Sequence, residues 1–303
     1  GDTVEVTGQI VDYDVTVTAT VTVTDVISEA PASVSTEFNL SDISLDGTDT
    51  IFGQNMARDL EYLKVMDADR MLYNFRDAFG QDTKGADPLT GWEEPTGLLR
   101  GHSTGHFLSA LAQAYASTGE SAYKDKMDYM VSELHKLQQL SKGNPEDFET
   151  KCSPTNAAQN LWSTDPNTWG EGFLSAYSPD QFALLEQYTP YNTIWAPYYT
   201  LHKITAGMID CYQYGGNEEA LEVAKGIGTW IYRRLSGCTD EAQREQMWAM
   251  YIAGEYGGMN ESLARLYEIT GEEKFMEAAK MFDHKSWFAD LAANIDVVQN
   301  KHA

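Results

Sequence analysis

The feature that most constrains the fold is a recurring pair of amphipathic segments joined by a short turn that contains glycine. The stretch "ALAQAYASTGESAYKDKMDYMV" (110–131) resembles "SLARLYEITGEEKFMEAAKMFD" (262–283), and "MIDCYQYGGNEEALEVAKGIGTWI" (208–231) is a weaker copy. In each copy a left-handed glycine can end the first helix, and an acidic residue favours the start of the second. Repeated helical hairpins predict either a solenoid or a closed α/α toroid.

The spacing of these hairpins favours the toroid. Solenoids usually keep an even period, whereas here long aromatic loops such as "NLWSTDPNTWGEGF" and "TPYNTIWAPYYT" separate some of the hairpins. Aromatic loops on a rigid scaffold often line a ligand cleft, for which carbohydrate is one candidate. Packing of the rings between helices is an equally good interpretation for any one of them.

Helical periodicity begins near Gln54. The stretch "NMARDLEYLKVMDADRMLYNF" (55–75) places its apolar residues, including Val65, on one broad face. Similar stripes run through 199–214, 218–235, 258–269 and 273–283.

The first residues follow a different pattern. Thr and Val alternate through "TVEVTGQIVDYDVTVTATVTVTD" (3–25), which predicts two strands with a turn near Asp12 to Asp14. Two strands alone are not stable, and this segment resembles the end of a bacterial immunoglobulin-like module. We therefore predict a module tail at 1–26, a linker at 27–39 and a helical domain at 40–303.

Charge and cysteine content narrow the classes of function. The formal net charge of −25 opposes binding to nucleic acid and to anionic membranes, and no apolar run is long enough for membrane insertion. Cys211 lies on a predicted helix face and is expected in the core. A disulfide between Cys152 and Cys238 is compatible with their positions in or near loops, but nothing in the sequence requires it.

Two histidines stand four residues apart in "LRGHSTGHFLSALAQAYASTGE" (99–120). Ser103 or Thr104 could cap the following helix, with His102 in the preceding loop and His106 in the first turn. Such spacing on a helix can bind zinc, but the metalloprotease pattern needs glutamate where this sequence has Ser103. For either histidine alone, capping and packing is the default interpretation. Two histidines beside "GWEEPTGLLRG" favour a polar pocket, and zinc at these histidines is the weaker alternative.

Two further stretches concentrate polar and aromatic residues. In "PYYTLHKITAGMIDCY", Tyr199 and His202 enter a helix after a Trp-Pro loop. In "YIAGEYGGMNESLARLYEITG", Glu255 precedes two glycines, and Asn260 and Glu261 open a helix. Asn260 could be a helix N-cap, or the two carboxylates could flank a sugar.

Several stretches together resemble glycoside hydrolase family 127 and its relative family 146, the β-L-arabinofuranosidase-like proteins. The matching pieces are "DLEYLKVMDADRMLYNFR", "GWEEPTGLLRGHSTGHFLSALAQAYASTG", "YTLHKITAGMIDCYQYGGNEEAL", "EYGGMNESLARLYEITGEEKF" and "NKHA", in family order from about residue 40 onward. The resemblance implies a mainly α (α/α)6 toroid. It also implies a secreted or cell-surface bacterial enzyme that removes β-linked L-arabinofuranose, with retention, from plant cell-wall glycans or glycoproteins.

The resemblance further implies a zinc-bound cysteine nucleophile and glutamates that hold zinc and transfer protons. The family motifs for these residues follow the stretch that matches "NKHA", where this sequence ends, so neither role is assigned to Cys152, Cys211 or Cys238. We therefore expect an incomplete toroid whose zinc ligands lie outside this sequence. We also expect a chain that needs the missing C-terminal half and is inactive alone.

The predicted substrate-binding set includes residues that contact sugar hydroxyls or shape the pocket. The resemblance contributes His102, His106, His202, Glu255, Asn260, Glu261 and His302, and the neighbouring candidates are Trp92, Glu93, Arg100 and Tyr199.

Two alternative functions remain open at this point. One is a non-catalytic carbohydrate-binding or scaffold toroid. The other is an α/α-toroid enzyme that acts on uronates, with Arg100 as the local partner of the substrate carboxylate.

Overall fold

The computed structural model describes residues 3–10, 15–22, 38–45, 49–149, 152–154, 161–190, 193–250 and 256–298. The chain divides into two compact units, residues 1–39 and 40–303. In the first unit, β1 (Thr3–Ile10) and β2 (Val15–Thr22) pair antiparallel, with Thr3 opposite Thr22 and Ile10 opposite Val15. The predicted turn at 12–14 lies outside the described residues, and the relation to an immunoglobulin-like module stays a prediction.

The second unit is helical and builds a mainly α fold of antiparallel hairpins, as expected for an α/α toroid. Its helices are α1 (Ile51–Val65), α2 (Ala68–Ala78), α3 (His102–Thr118), α4 (Ser121–Gln138), α5 (Asp180–Glu186), α6 (Pro197–Gln213), α7 (Glu218–Ser236), α8 (Glu241–Ala249), α9 (Met259–Thr270), α10 (Glu273–Lys280) and α11 (Lys285–Ala292). None of these helices is both long and apolar enough to cross a membrane.

The two best copies of the hairpin pattern have the same turn. Gly119 ends α3 and Gly271 ends α9, each with φ of 69° in the left-handed region. The amide of each glycine donates to the carbonyl of the tyrosine four residues earlier, Tyr115 or Tyr267, at 2.7 Å. The prediction of left-handed glycine caps is therefore confirmed.

The sequence predicts that the apolar residues of 55–75 share one helix face, but this segment forms two helices. α1 ends at Val65, where the ammonium of Lys126 donates to the carbonyls of Leu63, Lys64 and Met66 at 2.7–2.8 Å. The Asp67 carboxylate then caps α2 by accepting from the Asp69 amide at 2.8 Å. The break leaves Val65 68% exposed, so its predicted position on the buried face is wrong.

Helices α3 and α6 pack backbone against backbone through two glycines. A Cβ placed on Gly105 would stand 2.1 Å from the carbonyl oxygen of Lys203, and one on Gly207 would stand 2.5 Å from that of Gly105. Real Cβ atoms do not approach so closely, so each position needs the missing side chain of glycine. This contact brings the N-terminal turns of α3 and α6 together.

The aromatic loop "NLWSTDPNTWGEGF" supplies core residues. Trp162, Trp169 and Phe173 are at most 4% exposed, and the indole of Trp230 on α7 donates to the carbonyl of Trp169 at 2.7 Å. For these rings, packing between helices is the correct interpretation and cleft lining is wrong.

A buried ion pair joins α7 to α5. Arg234 and Glu186 are at most 1% exposed, and Arg234 Nε donates to Glu186 Oε1 at 2.8 Å. The guanidinium also donates to the carbonyl of Pro145 at 2.7 Å and lies 4.7 Å from the Trp162 ring. Because removing one partner would leave a buried charge uncompensated, this pair fixes the arrangement of the loops around it.

The cysteines divide into one disulfide and one thiol. Cys152 and Cys238 are joined, with their Cα atoms 5.5 Å apart, which ties the loop after α4 to the segment that follows α7. Cys211 is buried, and its thiol points to the carbonyl of Leu108 on α3 at 3.8 Å. The prediction of a core position for Cys211 is confirmed.

The α3–α6 contact can be tested by adding one methyl group. We expect Gly105→Ala to lower the free energy of unfolding by about 2 kcal/mol or more, because the rigid backbone of Lys203 cannot move aside. Urea unfolding monitored by circular dichroism measures this change.

The matched control is Gly257→Ala. A Cβ on Gly257 meets no heavy atom within 4 Å, so its free energy of unfolding should change little. Equal effects of the two substitutions would contradict the claim that Gly105 is required for close packing.

Candidate functional site

The candidate site lies where the N-terminal turns of α3 and α6 meet the start of α9. His102 and His106 come from α3, Tyr199 and His202 from α6, and Glu261 from α9. Glu93 and Trp92 adjoin His102, so the structure brings together seven of the eleven residues predicted to bind substrate.

Helix α3 begins earlier than predicted. Gly101 is its N-cap with φ of 97°, so His102 is the first helical residue and both histidines lie on the helix. The predictions that Ser103 or Thr104 caps α3 and that His102 precedes it are wrong. The Thr104 hydroxyl donates to the carbonyl of Met71 at 2.8 Å, because the helical start turns it towards α2. The two imidazole rings lie 6.1 Å apart.

The N-terminus of α3 is capped by the side chain of Glu93, eight residues before Gly101, and not by Ser103 or Thr104. One carboxylate oxygen of Glu93 accepts from the Gly101 amide at 2.6 Å, and the other accepts from the Ser103 amide at 2.8 Å. A negative charge at this end of a helix also complements the helix dipole. Glu93 is 6% exposed, so its carboxylate holds α3 in place instead of facing solvent.

The same carboxylate orients His102. Glu93 Oε1 and the carbonyl oxygen of Leu99 each lie 2.7 Å from His102 Nδ1. Two acceptors at Nδ1 place the hydrogen of the neutral ring on that nitrogen, which leaves Nε2 as the acceptor. The only hydrogen-bond neighbour of Nε2 among the described residues is the Ser103 hydroxyl, at 3.5 Å.

The surroundings move the pKa values of the two histidines in opposite directions. Burial lowers the pKa of His102, but hydrogen bonds to Glu93 and Leu99 outweigh it and raise that pKa above its ordinary value. Burial and the positive charge of Lys203 lower the pKa of His106. Neighbouring groups with separated pKa values can hold different protonation states at one pH. His106 is therefore neutral at a pH where His102 carries a proton.

The sequence analysis missed Lys203, which borders this site. Its ammonium lies 4.8 Å from the centre of the Tyr199 ring, and that ring lies 6.1 Å from His102. Burial lowers the pKa of Lys203, an effect that Glu261 opposes. The signal was the spacing of four residues between Tyr199 and Lys203, which places both on one helical face.

His202 rests directly on the backbone of the loop before α9. A Cβ on Gly258 would come within 2.4 Å of the His202 ring, so only glycine leaves room for this imidazole. Its Nε2 lies 3.8 Å from a carboxylate oxygen of Glu261, whose other oxygen is 3.3 Å from Arg265. The nearby imidazole of His202, together with the charge of Arg265, keeps the pKa of Glu261 below its ordinary value against the effect of burial.

Two aromatic residues stand beside the histidines. Trp92 occupies a 3-10 turn, Gly91–Glu93, and its ring centre lies 6.1 Å from that of His102. Trp195, which the sequence analysis did not select, lies 6.2 Å from Trp92 with the two rings nearly perpendicular. Its signal was its place in the aromatic loop "TPYNTIWAPYYT".

The remaining predicted residues lie elsewhere or outside the described residues. Arg100 donates to the carbonyls of Ala176 and Gly97 at 2.9 and 3.0 Å, so it holds loops together. Asn260 donates to the carbonyl of Ala279 and to Asp283, both at 2.9 Å. Gly258 is the N-cap of α9, so the N-cap interpretation of Asn260 is wrong. Glu255 and His302 lie outside the described residues.

The side chains at hand do not fit a zinc site. No cluster of three or more His, Cys, Asp or Glu that could hold a metal ion occurs within the described part of the chain. His102 and His106 share a helix face, but Glu93 engages His102 Nδ1, and the described residues place no third ligand beside both rings. The site is therefore a polar pocket of imidazoles with a carboxylate and an ammonium at its edge.

The link between Glu93 and His102 predicts a change in titration. We expect Glu93→Gln to lower the pKa of His102, because burial then acts without the opposing carboxylate. An NMR pH titration of the imidazole resonances measures this pKa. Glu261→Gln is the matched control, since that carboxylate faces His202 and should leave the pKa of His102 unchanged. Identical His102 titrations in the Glu93→Gln variant and the parent chain would refute the assignment.

The same pair predicts how stability depends on pH. The lowered pKa of Glu93 contributes stability that is present above its ordinary value of 4.5 and is lost as pH falls through the lowered value. The raised pKa of His102 contributes stability that is complete below 6.5 and is lost as pH rises through the raised value. The parent chain should therefore exceed the Glu93→Gln variant most between pH 4.5 and 6.5. Urea unfolding across this range tests the expectation, and a difference independent of pH would contradict it.

Comparison with known proteins agrees with this architecture. The family described as "Beta-L-arabinofuranosidase, GH127 catalytic domain" matches residues 45–303, which is most of the chain. A search of curated proteins found no match. The match spans the helical unit and all of the described pocket residues, and the chain therefore belongs to the family of GH127 catalytic domains, which are glycoside hydrolases.

Proposed function

We propose that this protein releases β-linked L-arabinofuranose, with retention, from plant cell-wall glycans or glycoproteins, as a secreted or cell-surface bacterial enzyme. The observation that carries the proposal is the cluster of His102, His106 and His202 inside a GH127 domain. Family membership supports a carbohydrate substrate, and the cluster supplies groups suited to several hydroxyls.

The imidazoles can recognise a polyol in complementary ways. A neutral imidazole donates from one nitrogen and accepts at the other, so it can bind a hydroxyl in either sense. The lowered pKa keeps His106 neutral, whereas the raised pKa of His102 favours donation from Nε2 as well as from Nδ1. Glu261 adds an acceptor at the edge of the pocket.

The described cysteines are unsuited to act as the nucleophile. Cys152 and Cys238 are bonded to each other. Burial raises the pKa of the Cys211 thiol well above its ordinary value, so Cys211 remains a thiol. A reactive cysteine needs a thiolate. We infer that the nucleophile and the zinc ligands expected for the family lie outside the described residues, while the residues described here bind and orient the sugar.

The uronate alternative has lost its main support. It required Arg100 to meet a substrate carboxylate, but Nε and Nη1 of this side chain already donate to backbone carbonyls. A neutral furanoside suits the described pocket better than an acidic sugar.

Binding to the 303-residue chain tests the pocket. We expect methyl β-L-arabinofuranoside to bind, and His202→Ala to weaken binding about tenfold by removing contacts to a hydroxyl, as loss of hydrogen bonds worth about 1.4 kcal/mol would do. Isothermal titration calorimetry gives the affinities. His135→Ala is the matched control, because His135 lies on α4 and pairs with Glu219 away from the site.

Hydrolysis is measured separately. The native protein should release arabinose from β-L-arabinofuranosides. Binding without hydrolysis by the native protein would favour the carbohydrate-binding scaffold. Cleavage of pyranosides in place of furanosides would overturn the proposed substrate.

A further inference from the structure

Trp92 is unusual among the described tryptophans because its side chain is exposed. It is 65% exposed, whereas Trp162, Trp169, Trp230 and Trp248 are at most 4% exposed. An indole in water contributes little to folding, because the hydrophobic effect rewards only apolar surface that is removed from water. The position of this ring therefore calls for an explanation outside the core.

The backbone that carries Trp92 is nevertheless firmly held. The carboxylate of the next residue, Glu93, is anchored by the amides of Gly101 and Ser103. The carbonyl of Glu93 accepts from the buried side chain of Asn74 at 2.7 Å. The exposed ring thus stands on a fixed turn, and binding to it requires little ordering of the backbone.

Trp195 completes an aromatic corner with Trp92. Their ring centres are 6.2 Å apart and their planes meet at 83°. Trp195 also borders a small apolar recess whose other walls include Pro197 and Tyr198. The two indoles therefore stand edge to face, and the ring of Trp92 also lies 6.1 Å from that of His102.

The surrounding groups favour a sugar ring as the occupant. A sugar ring can place its C–H groups against the exposed indole of Trp92 while its hydroxyls meet polar side chains. Sugar hydroxyls next to such a corner can reach the polar pocket, where His102 and Tyr199 lie together. Sites of this kind combine apolar walls with a few directed polar groups.

We propose that Trp92 and Trp195 form a second subsite, which binds the sugar on the leaving-group side of the glycosidic bond. The histidine pocket holds the arabinofuranose, and the aromatic corner holds the next sugar of the glycan. The corner thereby sets a preference for arabinose attached to another sugar over simple alkyl arabinosides. This inference rests on the proposed function, since it concerns the second half of the same substrate.

The test compares two ligands and three chains. A β-L-arabinofuranosyl disaccharide and methyl β-L-arabinofuranoside are titrated into the parent chain, Trp92→Ala and Trp92→Phe by calorimetry. We expect the parent chain to bind the disaccharide more tightly. Trp92→Ala should weaken disaccharide binding about fivefold to tenfold, as expected for losing one ring contact, and methyl glycoside binding less than about twofold. Trp92→Phe should restore part of the disaccharide affinity.

A matched control separates a contact from a general effect of removing an exposed ring. Tyr62 on α1 is 55% exposed, so Tyr62→Ala removes a similar surface aromatic and should change neither affinity. The pKa values of His102 in unliganded Trp92→Ala and in the parent chain, read from NMR pH titrations, should both be raised to the same degree, which shows that the Glu93 anchor is intact. If they do not match, Trp92→Phe replaces Trp92→Ala in the comparison.

The other outcomes separate this inference from the proposed function. If the parent chain binds the methyl glycoside but gains nothing from the second sugar, the subsite is overturned and the proposed function stands. Equal losses for both ligands in Trp92→Ala would also overturn it, because Trp92 would then belong to the arabinose pocket. If the parent chain binds neither arabinoside, the proposed function fails and the subsite fails with it.

Discussion

The backbone contact between α3 and α6 is the constraint on which the candidate site depends. Gly105 and Gly207 let the two helices approach until a methyl group on either would overlap the opposing carbonyl. Only at this separation does the His102 ring lie 6.1 Å from Tyr199, with His106 also on the facing surface of α3. A wider spacing would move the imidazoles apart and admit solvent between them. The stability of the packed helices and the geometry of the pocket therefore share one cause.

Glu93 adds the second link between fold and site, because one buried carboxylate performs two tasks. It satisfies two amides at the start of α3 and it holds His102 by Nδ1. Burial of an ion is unfavourable unless hydrogen bonds and an opposite charge compensate it. Here the compensation comes from the helix end and the imidazole together. The protonation state of His102 is thus coupled to the cap of α3, and the pocket cannot be altered electrostatically without affecting the helix.

The hairpins could be predicted from the sequence because their signals are local: apolar periodicity, a glycine after tyrosine, and an acidic start to the next helix. The site could be predicted only in part. The spacing of His102 and His106 is that of two residues sharing a helix face, but the predicted start of α3 put His102 in the preceding loop. The cap at Glu93 lies upstream across a loop and no short-range pattern reveals it. The fit of His202 against Gly258 likewise joins two helices distant in sequence. Aromatic loops gave an ambiguous signal, since Trp169 proved to be core and Trp195 borders the site.

The proposed function divides binding from bond cleavage in a physically consistent way. Groups that can hydrogen-bond to hydroxyls are concentrated at the α3–α6 junction, where the pKa values of His102 and His106 are separated by burial, Glu93 and Lys203. The described cysteines do not supply a thiolate. Cys211 is buried against α3, and the other two are joined in a disulfide. Charge inside the pocket is compensated locally: Glu93 pairs with His102, and Glu261 lies between His202 and Arg265. The lowered pKa of His106 leaves one uncharged imidazole beside these pairs, which suits a neutral sugar in the proposed function.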